Sequence, residues 1–195
     1  LDSRQVALRH TLDRAGRVVR TDFNTSADIS PSEWTVLRRY AYDGLGRLAE
    51  VTDGVTAAYA YDVRSRMTSV SSPLFSQQLF YGASPLNAAH ADYSGNIVAS
   101  VTRPGPGAAA DTLCYVYDRL GRMTSATGTR LSETLDFDLN GNVRRVDRSW
   151  RGTAVSETHV TLDGNLVSDV TEYAEDILSG TVPRISRGDY PAAMA

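Results

Sequence analysis

One short pattern recurs through this 195-residue chain and limits the folds open to it. In its clearest form the pattern reads Tyr-x-Tyr-Asp-x-x-Gly-Arg followed by an apolar residue. The Asp position of the seven copies is occupied by Asp13, Asp43, Asp62, Asp92, Asp118, Asp138 and, in the last copy, Thr161. A recurring unit of this size predicts a fold made by stacking one supersecondary element many times.

Each copy predicts a strand, a tight turn and a second strand. Tyr40, Ala41 and Tyr42 alternate large and small with the period of two that is typical of a half-buried strand. Asp is favoured at the first position of a type I turn, and Gly is favoured where the chain needs a positive φ. Ser65 replaces Gly in one copy, where the turn must adapt or carry strain. The residues expected to pack between strands are Tyr42, Tyr61, Tyr117 and Phe137, and those expected to fix the turns are Asp43, Asp62, Asp118, Asp138, Gly46, Gly121 and Gly141.

The second strand follows the Gly and begins with an apolar residue in every copy. Three residues after that apolar residue, most copies have another small or apolar residue. Ser100 and Asp169 occupy this position in two copies, which predicts a β-bulge in each of them. Asp43 and Asp62 are only 19 residues apart, which leaves room for a bare hairpin. The predicted fold class is therefore all-β, an antiparallel sheet of hairpins.

The pattern ends near residue 171. We expect residues 1–171 to form the hairpin array and residues 172–195 to form a C-terminal extension, a short helix over 172–178 or coil, that is loosely ordered. An Arg-Gly-Asp tripeptide lies in that extension at residues 187–189. Coincidence is the default explanation for a tripeptide in a chain of this length.

The arginines that follow the Gly allow two interpretations. Arg17, Arg47, Arg66 and Arg122 could form a ladder of guanidinium groups that binds a ligand. Alternatively, each lies along the sheet and pairs with a carboxylate of its own or a neighbouring unit. The second interpretation is favoured, because Asn replaces Arg in other copies and Asp recurs close by.

No catalytic, cofactor-binding or metal-binding residue is predicted. Asp138 to Asn142 resembles the start of a calcium loop, but its Gly is fourth and Ser149 occupies the twelfth position. His10, His90 and His159 lack metal-ligand spacing, and Cys114 has no identifiable His partner. The net charge of −3 argues against a nucleic-acid partner. No apolar run approaches the ~20 residues that span a bilayer.

The repeat resembles the YD repeat of the RHS (rearrangement hot spot) family over roughly residues 8–170. The stretch from Ser72 to Ser76, with Leu79 to Gly82 and Tyr93 to Ile97, further resembles RHS proteins of Bacteroidetes-type bacteria. This resemblance implies a spiralling ribbon of YD-repeat hairpins that is an open part of a hollow shell, on the bacterial cell surface or secreted. The shells of polymorphic toxins enclose a toxic domain. The sequence contains neither the Asp-Pro-x-Gly-Leu core motif nor a toxin domain, so the resemblance implies the shell wall but neither autoproteolysis nor toxicity. Because a full shell needs many more hairpins than seven, a segment of a longer protein or a remnant is expected.

The leading functional hypothesis is a structural repeat protein, not an enzyme, that encloses cargo or presents a surface at or outside the cell. Its expected partners are the remainder of a longer RHS chain or its cargo. The alternative is an adhesion module that binds carbohydrate or a surface protein through the aromatic face of the sheet. Burial of the tyrosines between strands would favour the first hypothesis, and exposure on one face would favour the second.

Overall fold

The computed structural model of the chain describes residues 6–25, 34–174 and 184–186. Every regular element in them is a β-strand except a short 3-10 helix at Pro85–Asn87. The strands are β1 Ala7–Leu12, β2 Val18–Asn24, β3 Thr35–Tyr42, β4 Leu48–Asp53, β5 Val55–Tyr61, β6 Met67–Ser71, β7 Ser76–Gly82, β8 Asp92–Arg103, β9 Asp111–Tyr117, β10 Met123–Gly128, β11 Leu131–Phe137, β12 Val143–Trp150, β13 Thr153–Asp163, β14 Leu166–Ala174 and β15 Arg184–Ser186. The all-β prediction is confirmed.

The strands form one open antiparallel sheet in which each strand is hydrogen-bonded to the next along the chain. Strands that follow each other in the chain are therefore neighbours in the sheet, which agrees with the general rule for consecutive elements. The chain divides into two compact units. One comprises Leu1–Gln78 with Thr102–Ala109, and the other comprises Leu79–Val101 with Ala110–Ala195.

Alternation along the strands agrees with the sequence pattern. In β3 and β5 the tyrosines at 40, 42, 59 and 61 are half-buried, whereas Ala41, Ala58 and Ala60 between them are exposed. Opposite residues continue this apolar face, with Tyr40 against Val51 and Tyr59 against Val70. The small residues between the rings therefore line the other face of the sheet.

Few side chains are fully buried. Among the described residues the buried hydrophobic ones are Val98 and Ala99, both in β8. Beside them the 3-10 helix places Asn87, whose side-chain amide donates to the carbonyls of Val98 at 3.0 Å and Tyr115 at 2.9 Å. Contacts between neighbouring strands, rather than a large central core, hold this sheet together.

The C-terminal part differs from the sequence expectation at its start. Glu172 and Tyr173 belong to β14, where the sequence suggested a short helix, and β15 pairs with this end of β14. Both residues continue the ladder with β13, opposite Thr158 and Glu157. The ladder gives their backbone groups partners that a short helix would not supply. The Arg-Gly-Asp tripeptide at 187–189 lies outside the described residues.

Candidate functional site

Five turns share one hydrogen-bonding arrangement, which Asp43 illustrates. Its backbone N–H donates to the Arg47 carbonyl at 2.8 Å, and the Gly46 N–H donates to the Asp43 carbonyl at 2.9 Å. Its Oδ1 accepts from the backbone N–H groups of Leu45 and Arg47, each at 2.9 Å, and its Oδ2 accepts from Arg47 Nε at 2.7 Å. The same arrangement occurs at Asp13, Asp62, Asp118 and, with Asn142 in place of Arg, at Asp138.

These contacts stabilise the charged form of each turn carboxylate. The backbone N–H of Arg47 is the largest influence that lowers the pKa of Asp43 below 3.8, and the side-chain amide of Asn142 has that role for Asp138. At Asp62 burial raises the pKa most strongly, but hydrogen bonds from Arg66 outweigh it and the pKa is lowered. The prediction that each arginine pairs with a carboxylate is confirmed by the ion pairs at Asp13, Asp43, Asp62 and Asp118.

The fourth turn position requires left-handed backbone. Gly46 has φ +82°, and a Cβ there would lie 3.0 Å from the guanidinium of Arg17. Ser65 adopts φ +62° in the copy that lacks Gly, so that turn keeps its shape at a conformational cost. Its hydroxyl accepts from Arg47 Nη1 at 3.3 Å.

Each of the five turns is followed by a β-bulge on the outgoing strand. Tyr42 pairs with Leu48 while Ala41 pairs with Glu50, which leaves Ala49 without an opposite residue. The equivalent register shift occurs after the turns at Asp13, Asp62, Asp118 and Asp138. The sequence predicted bulges only in the copies of Ser100 and Asp169. The one beside Asp169 is confirmed by a shift between Thr161 and Leu162.

Consecutive hairpins are joined by tyrosine hydroxyls. The ladder between β4 and β5 runs from Asp53 only as far as Glu50 opposite Ala58, so the Leu48 carbonyl has no ladder partner in β5. The Tyr61 hydroxyl donates to that carbonyl at 2.8 Å. The same bond, also 2.8 Å, joins Tyr42 to Val18 and Tyr117 to Ile97. In each case the acceptor is the fifth residue after the Asp of the preceding unit.

The turn arginines complete the same junctions. The guanidinium carbon of Arg47 lies 4.7 Å from the ring centroid of Tyr61, and Arg47 Nη1 donates to the Asp62 carbonyl at 3.0 Å. Arg17 covers the ring of Tyr42 at 4.4 Å, and Arg122 covers Phe137 at 4.6 Å. Such cation–π contacts contribute about 0.5–1 kcal/mol each at accessible sites. We call the hydroxyl bond to the preceding hairpin, together with the covering arginine where Tyr42 and Tyr61 have one, the inter-hairpin clamp.

Two copies of the pattern depart from this geometry. Strand β8 begins at Asp92, whose carboxylate accepts one backbone N–H, that of Ser94 at 2.7 Å, and the side-chain amide of Asn96 at 3.2 Å. In the last copy, β13 extends to Asp163 and pairs directly with Leu166, so the turn contains only Gly164 and Asn165. Thr161 in the Asp position cannot accept the set of bonds that a carboxylate accepts, which explains the shorter turn.

The remaining candidate residues have local structural roles in the described part of the chain. His10 Nδ1 lies 3.0 Å from the Thr21 hydroxyl, His90 is exposed, and the His159 ring meets Tyr173 edge-on at 5.9 Å. Cys114 Sγ donates to the Leu86 carbonyl at 3.0 Å. No group of three or more His, Cys, Asp or Glu residues in the described ranges is arranged to hold a metal ion. Within those same ranges no helix is long and apolar enough to cross a lipid bilayer.

Comparisons with known proteins agree with this geometry. The family model described as RHS Repeat matches residues 42–74, which include the turn of Asp62 and the clamp of Tyr61. This match confirms the RHS resemblance for that stretch. No curated protein matches the sequence.

Solved structures of the Tc toxins share the fold. The structure of TcdB2-TccC3-Cdc42 superposes with a TM-score of 0.67 at 16% identity, and it covers 85% of this chain and 9% of that chain. A Photorhabdus luminescens Tc holotoxin pore with mutated TccC3 gives 0.64 at 16% identity, covering 81% and 9%. TcdB2-TccC3-TEV gives 0.66 at 12% identity, covering 91% and 9%. This chain therefore spans about a tenth of the length of these neighbours and shares the fold of the segments that it matches.

Proposed function

We propose that this chain forms part of the wall of an RHS-type shell, which separates an enclosed cargo from its surroundings. The observation that carries the proposal is the inter-hairpin clamp. Tyr42 and Tyr61 use both their rings and their hydroxyls to hold the preceding hairpin, and an arginine covers each ring. Side chains with these contacts hold consecutive hairpins together as one continuous sheet.

Continuity suits a wall for a physical reason. If two neighbouring hairpins separate, the new strand edges expose backbone N–H and C=O groups, and the gap admits water and proteases. At the turn end of β4 and β5, where the ladder stops at Glu50 and Ala58, the clamp supplies the missing contacts. Closing these gaps hairpin by hairpin gives a barrier with no need of a catalytic group, so we propose that the segment itself is not an enzyme.

The remainder of the wall would come from a longer RHS chain. Because this chain covers only 9% of each Tc neighbour, we assign the enclosed cargo and the closure of the shell to other parts of that longer chain. One neighbour is described as a holotoxin pore, and a shell with such relatives would act at the bacterial cell surface or after secretion.

Binding of carbohydrate or a surface protein is the competing function. It would use aromatic side chains outside the clamps, of which Tyr93 is 75% exposed and Trp150 is 42% exposed. The tyrosines on which that hypothesis first depended are half-buried and bonded to neighbouring hairpins. The wall is therefore the function that the side-chain contacts favour.

Limited proteolysis of the full-length natural chain tests the wall. We expect a fragment outside the repeats to resist protease until the shell is denatured, and Tyr61→Ala with Tyr117→Ala to expose it. Tyr93→Ala is the matched control, since Tyr93 is exposed and belongs to no clamp. Equal degradation of that fragment in the native chain and the clamp variant would contradict containment. A glycan array signal that depends on Tyr93 would support the binding module instead.

A further inference from the structure

Five polar residues form one row across five adjacent strands in the first unit. Thr11 of β1 is paired with Arg20 of β2, which is paired with Arg39 of β3. Arg39 is paired with Thr52 of β4, and Thr52 with Thr56 of β5. Residues directly opposite each other in antiparallel strands point to the same face, with Cβ atoms about 4.5–5.5 Å apart. The row therefore places two arginines in adjacent strands on one face, with a threonine on either side of the pair.

The charges of this row are unbalanced. Arg20 Nε donates to Asp22 Oδ1 at 2.6 Å, but Arg9 shares that carboxylate at 3.0 Å. Asp22 is only 1% exposed, so it is already committed to both arginines. The Arg39 side chain is exposed and makes no ion pair or hydrogen bond within the described residues. Like charges placed directly opposite in a sheet are destabilising, so the pairing of Arg20 with Arg39 costs stability in the free protein.

One carboxylate stands at the margin of the row. Glu50 is two residues from Thr52 on the same strand face, and its Oε1 lies 3.4 Å from the Thr52 hydroxyl. The Thr52 and Thr56 hydroxyls are 3.0 Å apart. Among the described residues on this face, Arg9, Arg20 and Arg39 thus outnumber the carboxylates of Asp22 and Glu50, which gives the described part of the face a net positive charge.

We propose that the row from Thr11 to Thr56 binds a tetrahedral oxyanion, a sulfate or a phosphate group, between Arg20 and Arg39. Guanidinium groups form bidentate, charge-assisted hydrogen bonds with such anions, and the hydroxyl of Thr11 adds a further donor. An anion between the two arginines also removes their repulsion. The site is separate from the clamps, so its failure would leave the proposed wall intact.

Anion titration of the whole 195-residue chain tests the site. Inorganic sulfate and inorganic phosphate are added in the low millimolar range against sodium chloride of equal ionic strength, with heat of binding and thermal midpoint as readouts. Glucose 6-sulfate and glucose 6-phosphate in separate arms distinguish a free ion from an ester on a sugar. We expect a saturable rise of the midpoint with a tetrahedral anion and none with chloride.

Substitutions distinguish a specific anion site from an exposed surface that binds no anion. Arg39→Gln should weaken anion binding about 10-fold or more, because it removes a charged donor, and should raise the thermal midpoint of the free chain. Glu50→Gln should tighten binding, whereas Arg64→Gln, an exposed arginine outside the row, should change neither readout. The proposal is overturned if Arg39→Gln lowers the midpoint or fails to fold, or if its anion response equals that of the Arg64→Gln control.

Discussion

Removal of the Tyr61 hydroxyl measures how much the hydrogen bond of one clamp contributes to the free energy of unfolding. Tyr61→Phe keeps the ring under Arg47 but deletes the 2.8 Å bond to the Leu48 carbonyl. A net hydrogen bond contributes about 0.5–1.5 kcal/mol, and the half-buried carbonyl recovers water in part, so we expect a loss of about 1 kcal/mol. The chain also contains the reverse experiment, because Phe137 occupies the equivalent position and Arg122 already covers it.

By the spacing of the other clamps, Phe137→Tyr would place a hydroxyl beside the carbonyl of Met123, five residues after Asp118. We expect this variant to gain about 0.5–1 kcal/mol. Urea unfolding followed by circular dichroism would show both changes, since 1 kcal/mol moves the midpoint by roughly 0.3–1 M. Tyr93→Phe, at an exposed ring, should shift it by less than about 0.2 M. Unchanged midpoints for Tyr61→Phe and a loss for Phe137→Tyr would refute the clamp as a source of stability.

Three further predictions concern the turns and one strand. Ser65→Gly should raise the free energy of unfolding by about 0.5 kcal/mol, because relief of the φ +62° conformation exceeds the weak 3.3 Å bond from Arg47 that is lost; urea midpoints test this. Gly128→Ala should cost about 1–3 kcal/mol in the same assay, since its Cβ would lie 2.7 Å from the Thr112 carbonyl oxygen. The turn carboxylates have a lowered pKa in the folded chain, so their stabilisation is fully present above about pH 5 and is lost as the pH falls below 3.8; thermal midpoints from pH 6 to pH 2 should follow that course.

Each of these predictions has an internal comparison. Gly46→Ala should be destabilising where Ser65→Gly is stabilising, because both test the same left-handed position in opposite directions. A Gly128→Ala chain as stable as the parent would mean that the strands move apart at little cost. Asp43→Asn should flatten the acid limb of the pH profile, and stability that falls mainly between pH 6 and pH 5 would contradict the assignment of that limb to the turn carboxylates.

The local part of this fold could be predicted from the sequence, because its causes lie within one repeat. Asp43 and Gly46 define the turn through contacts no more than four residues apart, and the alternation around Tyr40 and Tyr42 defines the half-buried face. The pairing of Arg47 with its own Asp43 is equally local. In the last copy the hairpin was predicted but its two-residue turn was not, since Thr161 occupies the Asp position and cannot accept as many bonds as a carboxylate.

The contacts between repeats could not be predicted. The Leu48 carbonyl is available to Tyr61 only because the β4–β5 ladder stops short of it, and that end point depends on the bulges beside the turns. The sequence offered one signal, the Arg after the Gly together with an aromatic residue before the next Asp. The row of Arg20 and Arg39 had no signal at all, because its members come from strands in separate copies and meet only through register.

Scarcity of buried apolar side chains has a consequence for how such a chain can change over time. With Val98 and Ala99 as the only buried apolar residues among the described ones, and with each hairpin tied to its immediate neighbours, loss or duplication of a whole hairpin disturbs two junctions and spares the others. Genes for such proteins can therefore exchange stretches of repeats and still encode a foldable product, so long as the breakpoints preserve the tyrosine-to-carbonyl spacing.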